Sequence, residues 1–137
     1  MVFDEVNQEG GINGKKLKLI VEDDRYETKR TISAYSKLVH QDQVKIIFMS
    51  TYGGVFALAD RAVKDNVLII DPLDCNNDIA ALPNNVLCLA TQTESISNVF
   101  ADHIKEKESK RVFILHEDEP WFNFIVEELG RLSLIHI

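Results

Sequence analysis

The sequence predicts an α/β fold, a parallel sheet with helices on both faces, and three observations carry that expectation. Strand-length apolar runs recur with almost no polar alternation, as in Val44-Lys-Ile-Ile-Phe-Met49, Val67-Leu-Ile-Ile70, Val86-Leu-Cys-Leu-Ala90 and Val112-Phe-Ile-Leu115. Segments with apolar residues at helical spacing separate them. Strands buried on both faces read as continuous apolar runs, and helical crossovers keep them parallel. The loops after the runs are small, polar or acidic, and ligands of such sheets sit beyond the carboxyl ends of the strands.

In chain order, Val2, Phe3 and Val6 share one helical face, and Gly10-Gly11 supplies the positive φ that a helix stop needs. Asn13-Gly14 is a second tight turn, and Leu17, Leu19, Ile20 and Val21 form the first strand-length run. A helix over 28–39 carries Ile32, Tyr35, Leu38 and Val39. The strand at 44–49 leads through Ser50-Thr-Tyr-Gly-Gly54 to a helix with Val55, Leu58, Ala59, Ala62 and Val63 on one side. Val67–Ile70 ends at Asp71-Pro-Leu-Asp-Cys-Asn-Asn77. After the strand at 86–90, a helix over about 94–107 is expected to turn Ile96, Val99, Phe100 and Ile104 inward. The last strand, 112–115, precedes Glu117-Asp-Glu-Pro120 and a helix through Leu129. Residues 106–110 read as a charged, solvated connector.

At 137 residues and 15.6 kDa the chain fits one domain with a modest core. An apolar share of 45% and a charged share of 27% are those of a globular protein. A net charge of −7 argues against nucleic acid or an anionic membrane as partner, since both repel an acidic surface. No apolar run approaches the ~20 residues of a membrane span. The opening Met1-Val-Phe-Asp-Glu lacks the basic start and apolar core of a signal peptide. Cys75 and Cys88 are the only cysteines, and two unpaired thiols are expected of them. His40, His103 and His116 show no metal-ligand spacing, and no Ser-His-Asp or Cys-His set assembles, so neither metal, cofactor nor enzymatic chemistry is expected.

Ser50, Thr51, Tyr52, Gly53 and Gly54 are the leading binding candidates. Hydroxyls and free N–H groups at a helix start suit a carboxylate, because donors and helix dipole point the same way; Ser and Thr also serve as ordinary helix caps. Asp71 and Asp74 suit an ammonium, or a turn.

The stretch Asn7-Gln-Glu-Gly-Gly-Ile-Asn-Gly14, followed by a strand and Asp23-Asp24, resembles the type I periplasmic binding proteins, especially the branched-chain amino-acid (Leu/Ile/Val) group. The resemblance runs from about Glu5 to Leu129. It implies a periplasmic or extracytoplasmic ligand-binding protein that captures a small polar solute, an amino acid or related carboxylate, for an ABC permease. In that family the loop matching Ser50–Gly54 binds the α-carboxylate. A Pro-Ala-Ala-Thr stretch contributes a carbonyl and a hydroxyl where this chain has Pro72-Leu73-Asp74-Cys75, so the usual contacts there are altered. Thr91-Gln-Thr93 matches the hinge or cleft wall, and Trp121-Phe122 the start of a second lobe, where packing is the expected role. The domain expectation is therefore most of lobe one at 1–107, without its first strand, and the first strand and helix of lobe two at 108–131. Leader and first strand are expected to lie upstream, and the missing strand is expected to promote self-association. Leu132-Ser-Leu-Ile-His-Ile137 matches a translated sequencing-adapter end (CTG-TCT-CTT-ATA-CAC-ATC) and is set aside.

Two alternatives share these residues. One is the same fold used as a sensor domain of a signalling receptor. The other is a phosphoacceptor receiver, with Glu22-Asp-Asp24 as the metal pair and Asp71 as acceptor. The second lacks its cation, because His116-Glu-Asp-Glu-Pro120 puts acids where the receiver family has lysine.

Overall fold

The structure, a computed structural model, describes residues 2–109 and 111–132. The suspected tail beyond Leu132, including His136, lies outside the described residues. The elements run α1 (Val2–Gln8), α2 (Thr28–His40), β1 (Ile46–Phe48), α3 (Tyr52–Asp65), β2 (Leu68–Asp71), α4 (Asn77–Ala80), β3 (Val86–Cys88), α5 (Thr93–Glu106) and α6 (Pro120–Arg131). The strands form one parallel sheet in the order β1-β2-β3, with Ile47 beside Ile69 and Ile69 beside Val86. Helical crossovers of this kind are what parallel neighbours require.

The core forms where helical and strand periodicities meet. Tyr35, Leu38 and Val39 of α2 and Val55, Leu58, Ala59 and Ala62 of α3 are buried with Ile47, Ile69, Ile79 and Val86. Each large aliphatic among them contributes about 1.5–3 kcal/mol on burial. The α3 helix stops at Asn66, which takes the left-handed conformation (φ 52°) while its N–H bonds back to Ala62 and Val63. The opening turns form as the sequence predicts. Gly10, Gly11 and Gly14 have positive φ, and a Cβ on Gly11 would lie 2.1 Å from the Lys15 carbonyl oxygen.

Several expectations are corrected. Residues 17–21 join no strand ladder, and among the described residues the backbone of 18–21 makes no backbone hydrogen bond. Ile20 packs against the core, and polar bonds hold the two ends of the segment. The Asn7 side chain donates to the Leu17 carbonyl (2.8 Å) and accepts its N–H (2.6 Å), and Glu22 pairs with Lys37. No described strand pairs with it, so its apolar pattern enters no ladder. Residues 112–115 likewise form no strand, with Phe113 and Leu115 each 89% exposed. On α5 the inward face is Thr93, Ser97 and Ala101, while Val99 and Phe100 point outward. Ile96 and Ile104, expected inward, are half-buried beside that face. Val63 and Ile32 are also more exposed than their spacing suggests, and Thr31 takes a buried place on α2.

The cysteines depart from expectation too: Cys75 and Cys88 form a disulfide with Cα atoms 5.2 Å apart. Parallel pairing sets Cys88 beside Asp71, and the loop leaving Asp71 returns over the end of β3. The sheet therefore brings together two thiols that sit 13 positions apart in sequence.

Candidate functional site

The carboxyl ends of β1 and β2 open into the loops that hold every residue singled out for binding. Ser50 and Thr51 leave β1, and Thr51 precedes α3 as its extended N-cap residue (φ −80°, ψ 102°). The Thr51 hydroxyl does not face outward. It donates to the Asp24 carboxylate, to which the Thr31 hydroxyl also donates (2.6 Å), and the Tyr26 N–H binds the other oxygen (2.9 Å). Burial works to raise the Asp24 pKa, but these hydrogen bonds together hold it below the ordinary value. The acidic loop thus places its own anion against the threonine that was expected to meet a ligand. Ser50, half-buried, lines a cavity of about 150 Å³ together with Asp24, Thr31, Tyr35 and Phe48.

Tyr52 and Gly53 start α3. The Tyr52 side chain is buried, and its hydroxyl accepts from Asn76 Nδ2 (2.8 Å), a bond that joins the loop after β1 to the loop after β2. Burial pushes the Tyr52 phenol up from its usual value. Gly53 and Gly54 lie against α2: a Cβ would come within 2.5 Å of Thr28 Oγ1 at the first and 2.7 Å of Thr31 Cγ2 at the second. Close helix approach therefore accounts for both glycines.

In the second loop Asp71 is fully buried, and its Oδ1 accepts the N–H groups of Leu73 (3.0 Å) and Asp74 (2.9 Å). Its Oδ2, like Oδ2 of Asp74, is buried with no hydrogen-bond partner among the described residues. Burial raises both carboxyls, that of Asp74 to about 6, with the neighbouring Asp71 charge adding to its shift. Leu73 is exposed, and its carbonyl accepts no hydrogen bond among the described residues. The Cys75 sulfur is held in the disulfide, and its carbonyl accepts from both the N–H (2.8 Å) and the hydroxyl (3.1 Å) of Thr93. The thiol therefore does not replace the hydroxyl donor that the resemblance leads one to expect here.

The fold thus gathers Ser50, Thr51, Tyr52, Gly53, Leu73, Asp74 and Cys75 at one edge of the sheet, with Ser50 half-buried and Leu73 exposed. Sequence reasoning missed Asn76, which also caps α4 through the Ile79 N–H (2.8 Å). An Asn two residues before Asp78 and three before Ile79 is an N-cap signal that could have found it. Trp121 and Phe122 meet edge to face, ring centres 4.9 Å apart, and Trp121 packs on the core. Receiver chemistry finds no support, because Asp71 is wholly buried and no group of three or more acidic, His or Cys side chains suited to a metal occurs among the described residues.

The family model described as periplasmic binding protein matches residues 1–131. The chain belongs to the periplasmic binding protein family. It is 27% identical over 114 residues to Leu/Ile/Val-binding protein homolog 3 of Brucella melitensis, an alignment covering 82% of this chain and 31% of that protein. It is 29% identical over 116 residues to Leu/Ile/Val-binding protein BraC3 of Rhizobium johnstonii, covering 83% and 32%. The chain spans about a third of the length of these curated relatives. Among solved structures it resembles the branched-chain amino-acid transporter substrate-binding protein LivJ of Streptococcus pneumoniae, in complex with isoleucine (TM-score 0.66, 25% identity, 77% of this chain and 30% of that one). An ABC transporter substrate-binding protein of Desulfitobacterium hafniense, complexed with Leu, shares the fold (TM-score 0.75, 18% identity, 98% and 42%). The resemblance to the branched-chain type and the parallel α/β class both stand on these findings. The family is one of substrate-binding proteins, extracytoplasmic in location. No described helix is long and apolar enough to cross a membrane.

Proposed function

We propose that this chain forms part of an extracytoplasmic solute-binding protein that captures an amino acid or related small carboxylate for an ABC importer. The observation that carries the reading is the Asn76–Tyr52 hydrogen bond, which fastens the loops after β1 and β2 into one surface at the carboxyl edge of the sheet. On that surface the Ser50 hydroxyl and the amino end of α3 meet the solute carboxylate, and the Leu73 carbonyl accepts from its ammonium. Thr51 and Asp74 act behind these contacts, the first by anchoring Asp24 and the second by adding negative potential beneath the ammonium. Residues 1–107 belong to lobe one and 108–131 begin lobe two. Closure of lobe two over the solute then shifts a hinge equilibrium that the permease reads. The Cys75–Cys88 disulfide suits this location, because such bonds persist in oxidising compartments.

Calorimetric titration of the full-length protein with the twenty common amino acids tests this. Saturable binding of one of them, weakened about tenfold by Ser50→Ala, is expected for the loss of one ligand hydrogen bond. Binding unaffected by Ser50→Ala would remove the Ser50 hydroxyl from the site.

A further inference from the structure

The loop after β2 is anchored at both ends. At its start Asp71 is fixed in the ladder, where it pairs with Cys88 and its carbonyl accepts the Leu89 N–H (2.9 Å). At its end the Cys75 carbonyl accepts both bonds from Thr93, and Asn76 donates to the Tyr52 hydroxyl (2.8 Å). The disulfide adds a covalent tie from Cys75 to Cys88, whose own backbone sits in β3. Between these anchors the Leu73 and Asp74 N–H groups bond to Asp71 Oδ1 (3.0 and 2.9 Å), and Leu73 is 64% exposed.

The surroundings of the two sulfurs are packed. Cys75 is 7% exposed, and Cys88 lies against the core. Bonded sulfurs sit about 2 Å apart, whereas unbonded heavy atoms pack no closer than about 3.5 Å, so breaking the bond drives the pair apart by about 1.5 Å. A close-packed interior does not absorb such a change without backbone movement. The Cys88 backbone is fixed by the ladder, and the Cys75 carbonyl and Asn76 by Thr93 and Tyr52, so the displacement falls on residues 72–74.

We propose that the Cys75–Cys88 disulfide is a redox-sensitive positioning device of the solute site. Oxidised, it holds residues 72–74 where the Leu73 carbonyl accepts from the solute ammonium; reduction displaces them and weakens binding. Cys75 and Cys88 act as positioning residues. The effect on affinity rests on the solute-binding reading, whereas the displacement of the loop does not. The reductant is a dithiol. Its thiolate attacks Cys88 Sγ, in the less buried of the two residues, and the Cys75 sulfur leaves as a thiolate that takes up a proton. The second thiol of the reductant then attacks the mixed disulfide and expels Cys88, which is protonated in turn. Two electrons pass, leaving two protein thiols and a disulfide in the reductant.

The test uses the full-length protein, oxidised and then reduced with dithiothreitol, with folding followed by circular dichroism. Calorimetric titration with the twenty common amino acids is expected to show binding about tenfold weaker after reduction, as for the loss of one ligand hydrogen bond. Without solute, the Leu73 and Asp74 amides should exchange hydrogen about tenfold faster after reduction, because their bonds to Asp71 are loosened. Cys75→Ala/Cys88→Ala removes the crowding together with the bond. It should lose stability as the reduced protein does, yet bind within about twofold of the oxidised protein and be indifferent to dithiothreitol. Exchange rates unchanged by reduction would overturn the proposal, as would an unchanged affinity in a protein that binds. So would an alanine pair as weak as the reduced protein, since lost stability rather than displacement would then set the affinity. Reduction that unfolds the protein would overturn it too, because the bond would then hold the fold rather than place a loop. If the oxidised protein binds none of the twenty, the solute-binding reading fails by itself, and the exchange rates still decide whether the bond positions the loop.

Discussion

Replacing Asp74 by Asn offers the sharpest test of how the loop after β2 is built. Asp74 is 5% exposed, its Oδ2 has no partner among the described residues, and its pKa is raised from 3.8 to about 6, chiefly by burial and then by Asp71. A carboxyl raised on folding binds protons more tightly in the native state than in the unfolded one. Between pH 4 and 6 the native state therefore carries the extra proton, and stability falls as pH rises through that window. A shift of about 2 units corresponds to about 3 kcal/mol, fully present as a penalty above pH 6 and relieved below pH 4. Urea unfolding of the wild type and of Asp74→Asn at half-unit intervals from pH 4 to 8 measures it. The variant should be the more stable by about 2–3 kcal/mol at pH 7.5, and the gap should close towards pH 4. Subtracting the two profiles removes the opposite contribution of Asp24, whose lowered pKa favours folding at higher pH. Parallel profiles, with the same gap at every pH, would refute the reasoning.

Three further outcomes are expected. Reducing the Cys75–Cys88 disulfide, or substituting both cysteines by Ser, reopens a loop of 13 positions; this should cost about 3 kcal/mol and lower Tm by about 10 °C in a calorimetric scan. Asn76→Ala removes both the Tyr52 link and the α4 cap, and chemical denaturation should register a loss of about 2 kcal/mol, against under 1 kcal/mol for the exposed Asn77→Ala. Gly54→Ala drives a methyl into Thr31 and should destabilise by about 1–3 kcal/mol, with much of the loss recovered in the double variant Gly54→Ala/Thr31→Ser, which removes the Cγ2 it meets.

How far the sequence could be read depended on what each residue was packing against. The α2 and α3 stripes were legible because they face a sheet that wants large aliphatics, and Tyr35, Leu38, Val55 and Leu58 duly lie in the core. The α5 stripe misled in part: Ile96 and Ile104 are half-buried, but Thr93, Ser97 and Ala101 take the fully buried places while Val99 and Phe100 are exposed. Runs 17–21 and 112–115 have the composition of strands, but a ladder is a property of neighbours, and neither run has one among the described strands. The disulfide was illegible for the same kind of reason: its two thiols meet through the register of β2 on β3. At the candidate site, the residue types and loops were readable. What Thr51 faces was not, since the acid that takes its hydroxyl comes from 27 positions earlier.

The Tyr52–Asn76 bond and the paired bonds from Thr93 to the Cys75 carbonyl tie together three segments that lie far apart in sequence. Each of the three begins a helix or leads into one, at residues 52, 77 and 93. A chain so stitched has few ways for one loop to shift alone. On the function proposed above, a solute arriving there meets a surface already set in its final shape, so little of its binding energy goes into ordering the protein, and selectivity on this side of the proposed site is a matter of fit rather than of adjustment.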